Sequence, residues 1–153
     1  IRDKYLNKNQ YQKVMFKMFN EKKFNHKAFY KHLFMNKYDL FQLKKLGHSI
    51  GLHSHEHPTL MENLSYEEQY KEYRKNMEIF MKILKIDKTE IKTMSHPCGS
   101  YNKDTLNILS KLGIELGFKQ IMDIEKDKGM NKVNNSFLEI ARQDHSKIIK
   151  MIN

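Results

Sequence analysis

The sequence has a single cysteine, Cys98, and this scarcity excludes an internal disulfide and a zinc ribbon built from CxxC pairs. It also has no apolar run near the roughly 20 residues that cross a bilayer, so we expect no membrane span. No apolar stretch of the signal-peptide kind follows residues 1–4. Because the chain begins with Ile rather than Met, we expect it to be a piece of a longer protein.

Negative charge is scarce beside positive charge, with 18 Asp and Glu against 28 Lys and Arg and a net charge of +10. Such an excess is compatible with a surface for nucleic acid or another acidic polymer. The lysines are scattered along predicted helices, however, and no Arg-rich block or alternation of arginine with aromatic residues occurs. We therefore expect no nucleic-acid partner and keep a basic nucleic-acid-binding protein as an alternative.

Length and composition suit one globular domain, since 153 residues with 39% hydrophobic and 30% charged residues can bury a proper core. We predict a single domain over 1–153 that is incomplete at its N-terminus. Residues 1–36 are interpreted as a helical insertion or lead-in, and residues 37–153 as the core.

Apolar residues at helical spacing predict helices between residues 4 and 35, with a break near 20–25. A short helix that follows is expected to end at Gly47. A capping box that begins at Ser65 opens the clearest amphipathic helix of the chain. Asn102 is a good N-cap for one further helix.

Alternating or buried apolar residues predict strands over 48–52, 91–94, 114–118 and 137–141. The polar segment 123–135 is expected to be a surface loop, and 145–152 a terminal helix. This alternation of helix and strand predicts a parallel sheet with crossover helices, either a barrel or an open sheet. In such folds the active site collects at the C-terminal ends of the strands.

Histidine is concentrated in one segment, since four of the eight histidines lie between residues 48 and 57. Imidazole is the commonest protein ligand for transition metals, so the cluster predicts a metal site. A continued strand would point His53, His55 and His57 to one face, whereas a helical turn would pair His53 with His57. The spacing and Pro58 leave both geometries open.

Two motifs carry a resemblance to a known family. The first is Gly-His-x-Ile-Gly-x-His-Ser-x-x-His-Pro over 47–58, and the second is Pro-x-Gly-x-Tyr-Asn over 97–102. Together they resemble the polysaccharide deacetylase family, the NodB-type domains of carbohydrate esterase family 4. The likeness runs from about residue 40 to residue 145 and includes the segment 138–145.

The resemblance implies a deformed (β/α) barrel, present here as its C-terminal portion. It implies a metal-dependent hydrolase that removes N-acetyl or O-acetyl groups from a sugar or polysaccharide, with an acetylated glycan as substrate. His53 and His57 are the implied ligands of a divalent metal, which we expect to be zinc. A bound metal lowers the pKa of its water to about 7, which supplies the nucleophile that amide hydrolysis needs.

Other site residues are implied by the same resemblance. The loop that lines the sugar groove consists of Pro97, Cys98, Gly99 and Tyr101. Within it the backbone N–H of Cys98 would stabilise the oxyanion. His145 corresponds to the late histidine that acts as general acid. The family often has an arginine where this chain has Ser95, and we expect Arg142 to take its place.

One element of the family pattern is missing, because no Asp-Asp pair occurs in the sequence. In the family this pair supplies the third metal ligand and the general base. We expect it upstream of Ile1, so this chain alone is expected to be inactive. A catalytically inactive carbohydrate-binding remnant of such a domain is the alternative. Oligomeric state stays open, as does the choice between the cytoplasm and the cell envelope of a bacterium.

Overall fold

The computed structural model describes residues 5–120, 132–133 and 136–142, together with residues 149 and 152. The chain separates into two compact units, Ile1–Leu46 and Gly47–Asn153. The division of the chain into a lead-in over 1–36 and a core over 37–153 stays a prediction.

The first unit contains three helices, α1 (Lys8–Glu21), α2 (His26–Leu33) and α3 (Lys37–Lys45). An asparagine precedes each helix, and its side-chain oxygen accepts a hydrogen bond from a backbone N–H of the first turn. The predicted helices and the break at 20–25 are confirmed. Large apolar side chains of this unit remain exposed, among them Tyr30, Leu33, Phe34 and Met35.

The second unit contains the helices α4 (Tyr66–Leu84) and α5 (Lys103–Lys111). Both begin where the sequence predicts, α4 after the capping box at Ser65 and α5 after the N-cap Asn102, which the structure also shows in a capping box. Short 3₁₀ turns cover Met61–Asn63, Lys88–Glu90 and Pro97–Gly99. The helix predicted around residues 66–84 is therefore confirmed.

Among the described residues, the sheet of the second unit has four short strands: β1 (Thr93–Ser95), β2 (Leu116–Phe118), β3 (Lys132–Val133) and β4 (Ser136–Ile140). They lie in the order β1-β2-β4-β3. β1, β2 and β4 are parallel, and β3 pairs with β4 in the antiparallel sense. The predicted parallel sheet is confirmed among the described residues, whereas the barrel stays a prediction.

The strand predicted over 48–52 is wrong in extent. Only Leu52 joins the sheet, as an isolated parallel bridge to Met94 of β1. The Leu52 N–H donates to Thr93 O, and its carbonyl accepts from Ser95 N, each at 2.9 Å. A Cβ on Gly51 would lie 2.6 Å from Thr93 Oγ1 and 3.0 Å from Thr93 O, so glycine allows this close approach to β1.

Two other predictions concern the C-terminal third. β3 lies inside the segment 123–135 that the sequence predicts to be a loop, and the rest of that segment lies outside the described residues. Of the predicted terminal helix over 145–152 the structure describes only Ile149 and Ile152, both with helical backbone.

The hydrophobic core of the second unit lies where α4 and α5 pack on the sheet. Its fully buried members include Leu52, Tyr73, Ile91, Met94, Ile108, Leu109, Ile114 and Leu138. Within the described residues, no helix has both the length and the apolar character needed to cross a bilayer.

Candidate metal and substrate site

The parallel strands of the second unit end level with one another. Ser95 at the end of β1 pairs with Phe118 at the end of β2, and Phe118 pairs with Ile140 at the end of β4. Parallel sheets place ligand sites at this edge. The candidate site segments leave this edge of the sheet at His53, Pro97 and Arg142.

The histidine segment forms a turn rather than an extended strand. Ser54 and His57 both have left-handed backbone, with φ of 62° and 53°, and His57 N–H donates to Ser54 Oγ at 3.1 Å. The turn brings the rings of His53 and His57 to a centroid distance of 4.8 Å with an interplanar angle of 64°. Of the two geometries that the sequence left open, the structure has the one that pairs His53 with His57.

A hydrogen bond to the backbone fixes the tautomer of His53. Its Nδ1 lies 2.8 Å from the carbonyl oxygen of Ser95. Because a carbonyl only accepts hydrogen bonds, Nδ1 carries the proton and Nε2 of the neutral ring keeps its lone pair. A histidine that donates one ring N–H to a carbonyl and offers the other nitrogen is the usual arrangement of a metal ligand in proteins. His53 is exposed, so this nitrogen is accessible.

Two polar side chains of α4 hold the backbone of the histidine turn. Asn76 Oδ1 accepts the N–H of His53 at 3.0 Å. Glu72 Oε2 accepts the N–H groups of His55 and Glu56, at 3.0 and 2.8 Å. Neither residue was predicted from the sequence. The sequence does contain a signal for Asn76. It is a polar residue on the buried face of an amphipathic helix, where a polar side chain needs a hydrogen-bond partner.

The Pro97 loop is attached to β4 through the residues on either side of its turn. His96 Nε2 donates to Leu138 O at 2.8 Å, and the His96 ring stacks on Tyr101 at 4.1 Å. Tyr101 in turn donates its hydroxyl to Glu139 at 2.7 Å. The described contacts of Tyr101 therefore face β4 and His96.

His96 is almost fully buried, and burial lowers its pKa from 6.5 to about 4. The hydrogen bond to Leu138 and the carboxylate of Glu139 act in the opposite direction, while the charge of Lys119 lowers the pKa further. His96 is therefore neutral near pH 7. Its Nδ1 has no hydrogen-bond partner among the described residues.

The remaining site candidates occupy different surroundings. Cys98 is exposed and has left-handed backbone with φ of 53°, inside the turn formed by Pro97 and Gly99. Arg142 is exposed, and its Nε donates to Lys119 O at 2.8 Å, just beyond β2. His145 lies outside the described residues.

The described side chains provide some, but not all, of the ligands that a transition metal needs. Two neighbouring imidazoles, one with a fixed tautomer, are appropriate ligands for zinc. Among the described residues, however, no group of three or more His, Cys, Asp or Glu side chains is arranged to hold an ion. The residues present therefore account for two ligands of a site that needs at least one more.

Comparison with known proteins gives a family match and a shared fold. A family model described as polysaccharide deacetylase matches residues 3–117. The Streptococcus pyogenes deacetylase PplD in complex with acetate is similar with a TM-score of 0.59 and 20% identity, over 78% of this chain and 51% of that chain. This chain thus spans about half the length of that deacetylase.

A second solved structure, a CE4 family pseudoenzyme from Bacillus anthracis, is similar with a TM-score of 0.47 and 18% identity. That match covers 52% of this chain and 27% of the pseudoenzyme. No curated protein matches the chain.

Proposed function

The chain belongs to the polysaccharide deacetylase family, and we propose that it carries the histidine pair and the substrate loop of a metal-dependent hydrolase that removes N-acetyl or O-acetyl groups from a sugar or polysaccharide. The observation that supports this proposal most directly is the pairing of His53 and His57, whose ring centroids lie 4.8 Å apart. The hydrogen bond from His53 Nδ1 to Ser95 adds to it, because that bond leaves Nε2 available for a cation.

In this proposal His53 and His57 are ligands of a divalent cation, which we expect to be zinc because imidazole nitrogen is among its preferred ligands. When bound, the cation supplies a water of lowered pKa and polarises the acetyl carbonyl. The backbone of Ser95 orients the His53 ring, so β1 contributes to the site through its carbonyl group. The proposal assigns two ligands and no general base to this chain.

We assign the loop of Pro97, Cys98, Gly99 and Tyr101 to the substrate side of the site. Two hydrogen bonds shape its turn, from Gly99 N to His96 O at 3.2 Å and from Ser100 N to Pro97 O at 3.0 Å. The loop follows β1 directly, and β1 also holds His53, so the loop and the histidine pair lie at the same edge. An N–H at Cys98 that points towards the acetyl group would stabilise the oxyanion of the tetrahedral intermediate.

Two further roles remain proposals. We assign His145 as the general acid that protonates the leaving group. We assign Arg142 as the partner of the catalytic carboxylate. Among the described residues Arg142 Nε donates to Lys119 O, so we assign that role to the two terminal NH₂ groups of the guanidinium.

A zinc titration of the full chain tests the proposal. We expect the wild-type chain to bind one zinc ion, and we expect His53→Ala and His57→Ala to abolish that binding in isothermal titration calorimetry. His48→Ala is the matched control, because His48 belongs to the same segment and is exposed. Equal zinc affinity in His53→Ala and in the control would remove the site from these residues.

One observation favours the alternative of an inactive carbohydrate-binding domain, namely the absence of a third ligand group among the described residues. A binding measurement on an N-acetylated oligosaccharide tests this alternative, since sugar binding that is unchanged in His53→Ala would favour it, and an acetate-release assay on the same sugar tests for a general base. We expect the 153-residue chain with zinc to show no full turnover. Full turnover would show that the general base lies within this chain.

A further inference from the structure

The histidine turn is held from the side by one helix that supplies no metal ligand. Asn76 and Glu72 stand one turn apart on α4, and together they accept the backbone N–H groups of His53, His55 and Glu56. Three of the four N–H groups in the segment 53–56 are therefore bonded to α4. We call Glu72 and Asn76 the backbone clamp.

The position of the clamp on α4 indicates that its residues serve the turn. Asn76 is buried on the face of the helix that also buries Tyr73 and Met77. A buried amide weakens folding unless it is hydrogen-bonded, and the N–H of His53 supplies a bond to Asn76. In Glu72 one carboxylate oxygen accepts two N–H groups, and bonds to an ionised acceptor are the stronger kind.

The turn itself has a backbone that needs support. Ser54 and His57, which flank His55 and Glu56, are not glycine, yet both have positive φ. Such residues are uncommon, and the surrounding structure must hold them. Because the ring positions of His53 and His57 follow from this backbone, hydrogen bonds to residues 53, 55 and 56 also set the distance between the two rings.

We infer that Glu72 and Asn76 are positioning residues for the proposed metal site: they touch no ligand, and they fix the backbone that places His53 and His57. This inference rests on the proposed function for its link to metal, but the clamp can be measured without metal. Its prediction is that loss of the Glu72 oxygens frees the turn locally and weakens zinc binding, while the sheet stays intact.

The test uses the full chain with Glu72→Ala, Glu72→Gln and Glu72→Asp, and with Glu78→Ala as the control. Glu78 lies on the same helix and forms an exposed ion pair with Arg74. Amide hydrogen exchange without metal is the first measurement. We expect Glu72→Ala to speed exchange at His55 and Glu56 at least about tenfold, since the protecting bonds are gone. Lys119 N–H, bonded to Ile140 O in the sheet, is the reference amide and should not change.

Titration with zinc chloride alone is the second measurement. We expect Glu72→Ala to raise the zinc Kd about 10- to 100-fold, the usual effect of removing a group that supports a metal ligand. Glu72→Gln should keep the Kd within about fivefold of wild type, because an amide oxygen also accepts N–H bonds. Glu72→Asp should weaken binding, because its shorter side chain withdraws the oxygen from the turn. A purely structural role would not separate Gln from Asp in this way.

The outcomes distinguish the inference from the proposed function. Unchanged exchange and unchanged zinc Kd in Glu72→Ala overturn the clamp and leave the metal site standing. If neither the wild-type chain nor Glu78→Ala binds zinc, the proposed metal site is overturned, whatever the exchange rates show. If Glu72→Ala also loses protection at Lys119, that variant is unfolded and cannot be used. The comparison of Glu72→Gln with Glu72→Asp then decides, and equal zinc Kd values in those two variants overturn the inference.

Discussion

Acidification should destabilise the folded chain through His96, and the substitution His96→Gln should remove that effect. The ring is 1% exposed and its pKa is lowered to about 4, first of all by burial. In the unfolded chain the pKa returns towards its ordinary value of 6.5. Between these two values the unfolded state binds more protons than the folded state, so the free energy of unfolding decreases as the pH falls.

The size of the effect follows from these two pKa values. Each pKa unit corresponds to 1.36 kcal/mol. Integrated from pH 8 to pH 5, the difference between 6.5 and about 4 amounts to ~2 kcal/mol of lost stability from this one group. At pH 4 the loss reaches ~3 kcal/mol. The stability is present in full above pH 6.5 and disappears as the pH falls through the folded pKa.

Urea denaturation followed by circular dichroism at pH 8 and at pH 5 measures this loss. Glutamine at position 96 offers an N–H that can replace the hydrogen bond to Leu138 O but does not titrate. We expect the wild-type chain to lose ~2 kcal/mol more than His96→Gln over this range. His48→Gln, which removes an exposed histidine, should behave like wild type. If wild type and His96→Gln lose the same stability, His96 is not the buried neutral histidine described above.

Two further predictions concern packing in the second unit. Leu138→Ala should cost about 2–5 kcal/mol of unfolding free energy because this side chain is fully buried. The control Leu116→Ala, on a neighbouring strand and 37% exposed, should cost clearly less, and equal losses in urea denaturation would contradict the described core. Gly51→Ala should cost about 1–3 kcal/mol because its Cβ would meet the backbone oxygen of Thr93 as well as the movable hydroxyl. It should also lower zinc affinity, since Leu52 carries His53, and unchanged values in both measurements would argue against the bridge to β1.

The helices could be predicted from the sequence because their signals are local. Ser65 and Asn102 accept hydrogen bonds from residues three positions further along the chain, so their capping boxes are complete within one turn of sequence. The strands depend instead on distant partners. Alternating apolar residues predicted a strand over 48–52, but only Leu52 finds hydrogen-bonding groups in β1. β3 is two residues long and exists through its pairing with β4, which no local pattern indicates.

The candidate site likewise has features that local sequence could indicate and features that depend on residues distant in the chain. The pairing of His53 with His57 was one of two geometries that their spacing left open. The tautomer of His53 could not be predicted from the sequence, because its hydrogen-bond partner Ser95 lies 42 positions away in the chain. The contacts of Glu72 and Asn76 with the turn likewise span 16 to 23 positions. Asn76 gave a signal as a polar residue between buried Tyr73 and Met77, whereas Glu72 resembled any half-buried helix carboxylate.

The left-handed turn at Ser54 and His57 has a consequence for how quickly an ion can be captured. The backbone of the turn holds the two imidazoles close together, and ligands that folding has collected in this way lose less entropy when they bind an ion. Preorganised ligands of this kind favour rapid association without a slow conformational step. We therefore expect the backbone of the metal-free and zinc-loaded turn to superpose, with ion capture limited by the loss of water from the ion.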